Sequence, residues 1–263
     1  MVDAGLYDRI PIPDLVLGQH VMAGPAGTVG SRPGTIMASA DSYKITLYGR
    51  GGHGSMPHMT IDPVLMATSF IQRLQTIVSR ECDPSDMAVV TVGSLNVGST
   101  ENIISEKAEI GLDIRTILPA TRDKVIAAIK RMLKAEHIAS GATKEPTMEQ
   151  TRTFPNTNND PDLAQTLATA FADHFGEDFN ADTPRVNASE DVSILATSQG
   201  KPYLFWFFGG TDPAKHSAAV RAQRLYEDIP SNHSPFFAPV IQPTLTVGIE
   251  TLCVATLTFM GLS

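Results

Sequence analysis

Between residues 42 and 137 the apolar pattern switches back and forth between a period of two and the helical period, and the order of those switches restricts the fold more than any other feature of the chain. Over Ser42–Tyr48, the residues Tyr43, Ile45 and Leu47 alternate with Lys44, Thr46 and Tyr48, which predicts a half-buried strand. Asp62-Pro63 then supplies an N-cap and a proline for the first turn of a helix running to about Ser79, with Val64, Leu65, Ile71, Leu74 and Val78 at helical spacing. Strand character returns at Met87–Leu95 and Lys107–Arg115, where Ala108, Ile110, Leu112 and Ile114 alternate with polar residues. A second amphipathic helix, Arg122–His137, turns Val125, Ile129, Met132 and Leu133 inward. This succession predicts an α+β sandwich of the ferredoxin-like kind.

The sandwich is expected to occupy residues 39–148, because 141–150 turns polar and Thr153-Phe154-Pro155-Asn156 reads as a linker. Residues 1–38 and 149–263 then form a second, discontinuous domain. In it the apolar run Leu15–Val21 carries His20 near its end and empties into Gly24-Pro25-Ala26-Gly27. Asp160-Pro161 opens a helix, Tyr203–Phe208 reads as a central strand, and the loop Pro230-Ser231-Asn232-His233-Ser234-Pro235 precedes a closing helix. The apolar tail 238–260 is interrupted by Gln242, Pro243, Glu250 and five threonines, so it reads as a packed core helix and no membrane span is expected.

Charge and cysteine usage exclude several classes. The formal net charge is -8 with no basic stripe, which argues against a nucleic-acid partner. Cys82 and Cys253 are far apart, without metal spacing or a disulfide framework, and favour a reducing, cytoplasmic setting. The first residues carry Asp3, Asp8 and Arg9 among prolines and do not read as a signal peptide.

The candidate chemistry lies in loops and at strand ends. Gly49-Arg50-Gly51-Gly52-His53-Gly54-Ser55-Met56-Pro57-His58 is too glycine-rich for regular structure, and its glycines allow positive φ or close approach while presenting His53. His20 and His233 follow buried runs, where ligands are common in α/β enzymes, although a histidine beside an apolar strand is more often a hydrogen-bonded core residue. Ser189-Glu190-Asp191 reads as a helix N-cap with dipole-favoured acids. Asn102 stands in a turn, and Arg115 ends an alternating strand from which it could clamp a carboxylate.

Taken in order, these pieces resemble the M20 metallopeptidases, in particular the amidohydrolase branch of aminoacylases, hippurate hydrolases and indoleacetyl-amino-acid hydrolases. The resemblance runs through Gly5-Leu6-Tyr7-Asp8, Gly18-Gln19-His20-Val21, Gly49–His58 with Asp62-Pro63-Val64, Asn102-Ile103-Ile104, Arg115, Thr153-Phe154-Pro155, Ser189-Glu190-Asp191 and His233-Ser234-Pro235 with Phe237. It implies a zinc-peptidase-like α/β catalytic domain with the small sandwich inserted as a lid and dimerisation domain. It also implies a homo-oligomer, a small amide or carboxylate substrate, and divalent metal, Zn or Mn. By the same resemblance His20 and His233 match metal ligands, and His53 matches the lid histidine that stabilises a developing oxyanion, often in the partner subunit. Asn102 and Arg115 match binders of the substrate carboxylate. The implied reaction is metal-assisted hydrolysis of an amide bond in an N-acyl amino acid.

One departure is large. Relatives carry a front half with a His-Met-Asp-like strand, a Cys-Gly-His-Asp-like segment and a Glu-Glu pair supplying the general base and a metal ligand, and none of these occurs here. The catalytic domain is therefore expected to be incomplete, and metal binding weak. Three readings follow: part of an ordinary amidohydrolase, a non-hydrolytic descendant that binds a small carboxylate or a partner, or metal-independent chemistry using His53 or His20. An uncovered sheet edge and apolar face are further expectations, favouring self-association.

Overall fold

The computed structural model describes residues 1–261. In chain order its strands are β1 (Val16–Pro25), β2 (Val29–Gly30), β3 (Gly34–Met37), β4 (Ser39–Tyr48), β5 (Gly52–His53), β6 (Ala88–Val97), β7 (Ile103–Ile104), β8 (Lys107–Thr116), β9 (Thr147–Phe154), β10 (Thr157–Asn159), β11 (Phe179–Asn180) and β12 (Tyr203–Thr211). The helices are α1 (Pro63–Thr76), α2 (Pro119–Ser140), α3 (Pro161–Phe175), α4 (Ser193–Thr197), α5 (Pro213–Arg221), α6 (Leu225–Asp228) and α7 (Thr244–Met260). Two compact units result: Met37–Asn156 with Val186–Glu190, and Met1–Ile36 with Thr157–Arg185 and the chain from Asp191 onward.

In the central unit the sheet order is β6-β8-β4-β9 with every neighbour antiparallel, and the chain order β4-α1-β6-β8-α2-β9 makes it the ferredoxin-like arrangement. One face packs on α1 and α2. Ile45, Leu47, Ile110, Leu112 and Ile114 meet Phe70, Leu74, Val125, Ile129 and Leu133 there, so the alternation in β8 and the inward face of α2 fall as the pattern predicts. Thr153 and Phe154 are not linker residues but close the fourth strand, pairing with Asp41 and Ala40.

The inward face of α1 differs from expectation. Val64, Leu65 and Val78 are 42%, 66% and 39% exposed, while Pro63, Met66, Ala67, Phe70, Leu74 and Ile77 are buried. Apolar residues lie on two sides of this helix, and the side with the continuous i, i+3, i+4, i+7 series from Pro63 wins the core. The Asp62 side chain caps the helix by accepting from the Val64 N–H at 2.8 Å. A buried carboxylate pins α2 to the sheet: Asp41 accepts from Arg122 Nε and Nη2 at 2.6 and 2.7 Å, from Gln150 Nε2 at 2.9 Å and from Thr153 Oγ1 at 2.8 Å.

In the outer unit the sheet order is β1-β12-β2-β11. β1 runs parallel to β12 from Val16↔Tyr203 to Met22↔Gly209, β12 pairs antiparallel with β2, and β2 pairs parallel with β11. β12 is the buried central strand that its apolar run predicts, and β1 lies at the sheet's edge. Leu167 and Phe171 of α3 and Val247 and Ala255 of α7 pack with Leu204 and Trp206, with Phe171 edge-on to Trp206 at 5.4 Å.

α7 packs on the core as its apolar run predicts, but along one face only. Leu245, Ile249, Leu252 and Leu257 are 39–56% exposed, because Thr244, Val247, Gly248, Thr251 and Ala255 form the stripe that meets the sheet and α3. Among the described residues, no helix is long and apolar enough to cross a membrane.

Candidate active-site residues

The glycine-rich loop folds back on the turn that carries Asn102. β5 pairs with β7 as Gly52↔Ile104 and His53↔Ile103, and the Gly54 N–H donates to the Asn102 carbonyl at 2.8 Å. Its glycines are needed for closeness and none of them adopts positive φ. A Cβ on Gly49 would stand 2.2 Å from the Ile61 carbonyl oxygen, and one on Gly51 2.8 Å from that of Ile104. The result is an exposed His53 whose Nδ1 accepts from the Ser55 N–H at 3.1 Å and lies 2.8 Å from Ser55 Oγ. A backbone N–H can only donate, so Nδ1 is unprotonated and the neutral ring carries its proton on Nε2, facing outward as a donor.

Arg115 sits on β8 of the four-stranded sheet, at the end away from the His53 loop. It is the ninth residue of β8, whereas the His53 loop adjoins that strand's first residues, with Tyr48 opposite Lys107 and the Gly49 N–H donating to the Glu106 carbonyl at 2.9 Å. The strand covers roughly 26 Å between Lys107 and Arg115 at about 3.3 Å per residue. The central unit thus brings His53 and Asn102 together and holds Arg115 apart from them. Arg115 Nε donates to Asp113 Oδ2 at 2.7 Å and Nη1 to Ser189 Oγ at 2.8 Å, so Ser189 is a partner of this guanidinium and does not cap α4, whose N-cap is Val192. Burial opposes ionisation of Asp113, yet hydrogen bonds from Arg115 and Ser42 and the charges of Arg115 and Arg152 outweigh it and hold the carboxyl below the usual range.

In the outer unit His20 stands on β1 and His233 is exposed in the loop before α7, with a left-handed φ of 67°. His20 and the residue before His233 meet one carbonyl: His20 Nδ1 lies 2.6 Å from the Val21 oxygen, and Asn232 Nδ2 donates to the same oxygen at 2.8 Å. That contact ties the His233 loop to the β1 segment that carries His20. A carbonyl only accepts, so His20 carries its proton on Nδ1 and its free lone pair on Nε2, the arrangement of a ligating histidine oriented by its backbone. Gln19 fixes this part of β1: its Oε1 accepts from Trp206 Nε1 at 3.1 Å and Thr251 Oγ1 at 2.7 Å, and its Nε2 donates to the Gly248 carbonyl at 2.9 Å.

These donors do not amount to a dinuclear centre. Among the described residues no group of three or more His, Cys, Asp or Glu stands close enough together to hold a metal ion. Two imidazoles fall short of the three protein ligands that a catalytic zinc site uses. Sequence reasoning had missed Ser55, Asp113 and Asn232, all of which act through hydrogen bonds made by the fold. Only the short spacings His53-Gly54-Ser55 and Asp113-Ile114-Arg115 could have signalled two of them.

Residues 38–140 match the peptidase dimerisation domain model of the M20 family. An N-acetyldiaminopimelate deacetylase of Anoxybacillus flavithermus is 40% identical over 129 residues, 49% of this chain and 34% of the relative. The IAA-amino acid hydrolase ILR1-like 5 of Arabidopsis thaliana is 30% identical over 241 residues, 90% of this chain and 52% of the relative. The Bacillus subtilis YXEP protein, a dinuclear metal binding peptidase from the M20 family, shares the fold at a TM-score of 0.67 and 23% identity, over 97% of this chain and 58% of that one. The chain thus spans about half the length, or less, of the curated relatives it matches. Residues 38–140 thus match an M20 peptidase dimerisation domain, and 90% of the chain is similar to part of an IAA-amino acid hydrolase.

Proposed function

We propose that this chain supplies the substrate-recognising and dimerising parts of an M20-type amidohydrolase that cleaves the amide bond of an N-acyl amino acid or a related small amide. The observation that carries this reading is the pairing of the His53 loop with the Asn102 turn, which holds an exposed imidazole and Asn102 on adjoining backbone segments. Those two groups suit the amide oxygen as negative charge grows on it. Arg115, oriented by Asp113 and Ser189, suits the substrate carboxylate. Two of the relatives are named for cleaving acyl groups from amino acids, which agrees with this substrate class.

Because Arg115 lies roughly 26 Å along β8 from the end where His53 and Asn102 stand, one central unit does not bring all three to a single small substrate. Two copies do, with His53 and Asn102 from one and Arg115 from the other, and the matched dimerisation domain supports such a pair. A second reading, a non-hydrolytic binder of small carboxylates, is favoured by one observation, the donor set that stops at His20 and His233. Calorimetry with an N-acetyl amino acid, followed by hydrolysis assays with added Zn or Mn, separates them. Binding that Arg115→Gln abolishes, accompanied by turnover, supports the hydrolase; binding without turnover supports the binder; no binding overturns both.

A further inference from the structure

The face of the central sheet turned away from α1 and α2 carries a groove of about 530 Å³ lined by residues of all four strands. Its hollow lies over Gly93 and Gly111, where side chains are missing; a Cβ on Gly93 would meet nothing within 4 Å. The charges on its walls are not balanced. Arg115 and Arg152 both face the single carboxylate of Asp113, at 2.7 and 3.3 Å. Toward the other end, Lys44 of β4 and Lys107 of β8 both reach Glu109 at 3.0 Å, and Lys44 also stands across from Glu149 in the β4–β9 register, so two lysines meet two glutamates there. The uncompensated positive charge therefore sits at the Arg115–Arg152 end, in a chain whose formal net charge is -8.

Of the two guanidinium groups, Arg152 has donors to spare. Its Nη2 donates to Ser42 Oγ at 3.2 Å and Asp113 Oδ1 at 3.3 Å, both near the long limit, and its side chain is 50% exposed. Arg152, Ser42 and Asp113 occupy one row across β9, β4 and β8, with Arg115 two residues on from Asp113 along the same face. Two guanidinium groups on strands flanking β4, spaced by a shared carboxylate, present forks to two separate anionic groups of one ligand.

We infer that Arg152 is a specificity-determining residue that reads a second, distal carboxylate, so that the groove prefers acyl amino acids with an acidic side chain over those with a single carboxylate. This rests on the reading of Arg115 as the reader of the first carboxylate. The test is calorimetric and needs no turnover: titrate the full chain with glutarate and with butyrate, then repeat with Arg152→Gln and Arg115→Gln. The inference expects glutarate to bind at least about tenfold tighter, as a second charge-assisted contact would give, and expects Arg152→Gln to bring that ratio close to one. An unchanged ratio in Arg152→Gln, equal affinities in the unaltered chain, or no binding of glutarate overturns it. Butyrate binding that survives Arg115→Gln counts instead against the reading of Arg115, whatever Arg152→Gln does. Arg152→Lys, which keeps the charge and loses the fork, should retain an intermediate preference, and a fully restored preference would contradict recognition by the guanidinium.

Discussion

His20 and Asn232 converge on one acceptor, the Val21 carbonyl oxygen, at 2.6 and 2.8 Å, although 212 positions separate them in sequence (232 minus 20). This shared oxygen holds the loop carrying His233 against the strand carrying His20. It also dictates where the His20 proton sits, while Ser55 dictates the opposite at His53.

Opposite tautomers are the first expected outcome. In the neutral rings His20 should be protonated on Nδ1 and His53 on Nε2. Nitrogen-15 chemical shifts from long-range proton correlation at alkaline pH read this directly, and identical tautomers at the two sites would contradict the assignment.

Mixing two inactive variants tests the two-copy site. If each site draws His53 from one copy and Arg115 from the other, pure His53→Ala and pure Arg115→Gln each lack complete sites. Random re-pairing of an equal mixture regenerates about one quarter of them. Binding stoichiometry for an N-acetyl amino acid, measured before and after co-refolding, should rise accordingly; no gain would show that both groups serve the same copy.

The Asp41–Arg122 pair sets how strongly α2 is pinned. Asp41 is fully buried, and Arg122→Met leaves its carboxylate without its bidentate partner. A loss of about 3 kcal/mol in urea unfolding is expected, and a change below about 0.5 kcal/mol, the size of an ordinary surface substitution, would contradict it.

Arg115→Gln should show a pH signature. The Asp113 carboxyl is held below its ordinary value in the folded chain, so the stability it contributes is present above the unfolded value of about 3.9 and is lost as pH falls through the depressed folded value. Removing Arg115 takes away part of that depression. The stability gap between the unaltered chain and Arg115→Gln should therefore be widest near neutrality and shrink on acidification below about pH 4. A gap that widens in acid would reverse the sign.

Much of the central unit is legible in its residues because β8 and α2 each bury one clean periodic face. α1 is misread because Val64, Leu65 and Val78 are as apolar as the residues that win the core, and only packing chooses the phase. The same ambiguity hides the exposed side of α7, where Leu245, Ile249 and Leu252 would suit a core equally well. The candidate residues His20, His53, Asn102, Arg115 and His233 are visible as residue types at strand ends and in loops. Their grouping is not, since the separation of Arg115 from His53 depends on strand register, and the contact of Asn232 with Val21 depends on a loop closing across the chain.

Metal content measured together with ligand binding tests the account most directly. The chain, purified with zinc and dialysed, is expected to hold well below one zinc per chain, and yet to bind an N-acetyl amino acid through a contact that Arg115→Gln removes. One or two zinc ions per chain retained through dialysis, or an acyl amino acid that does not bind at all, would contradict it.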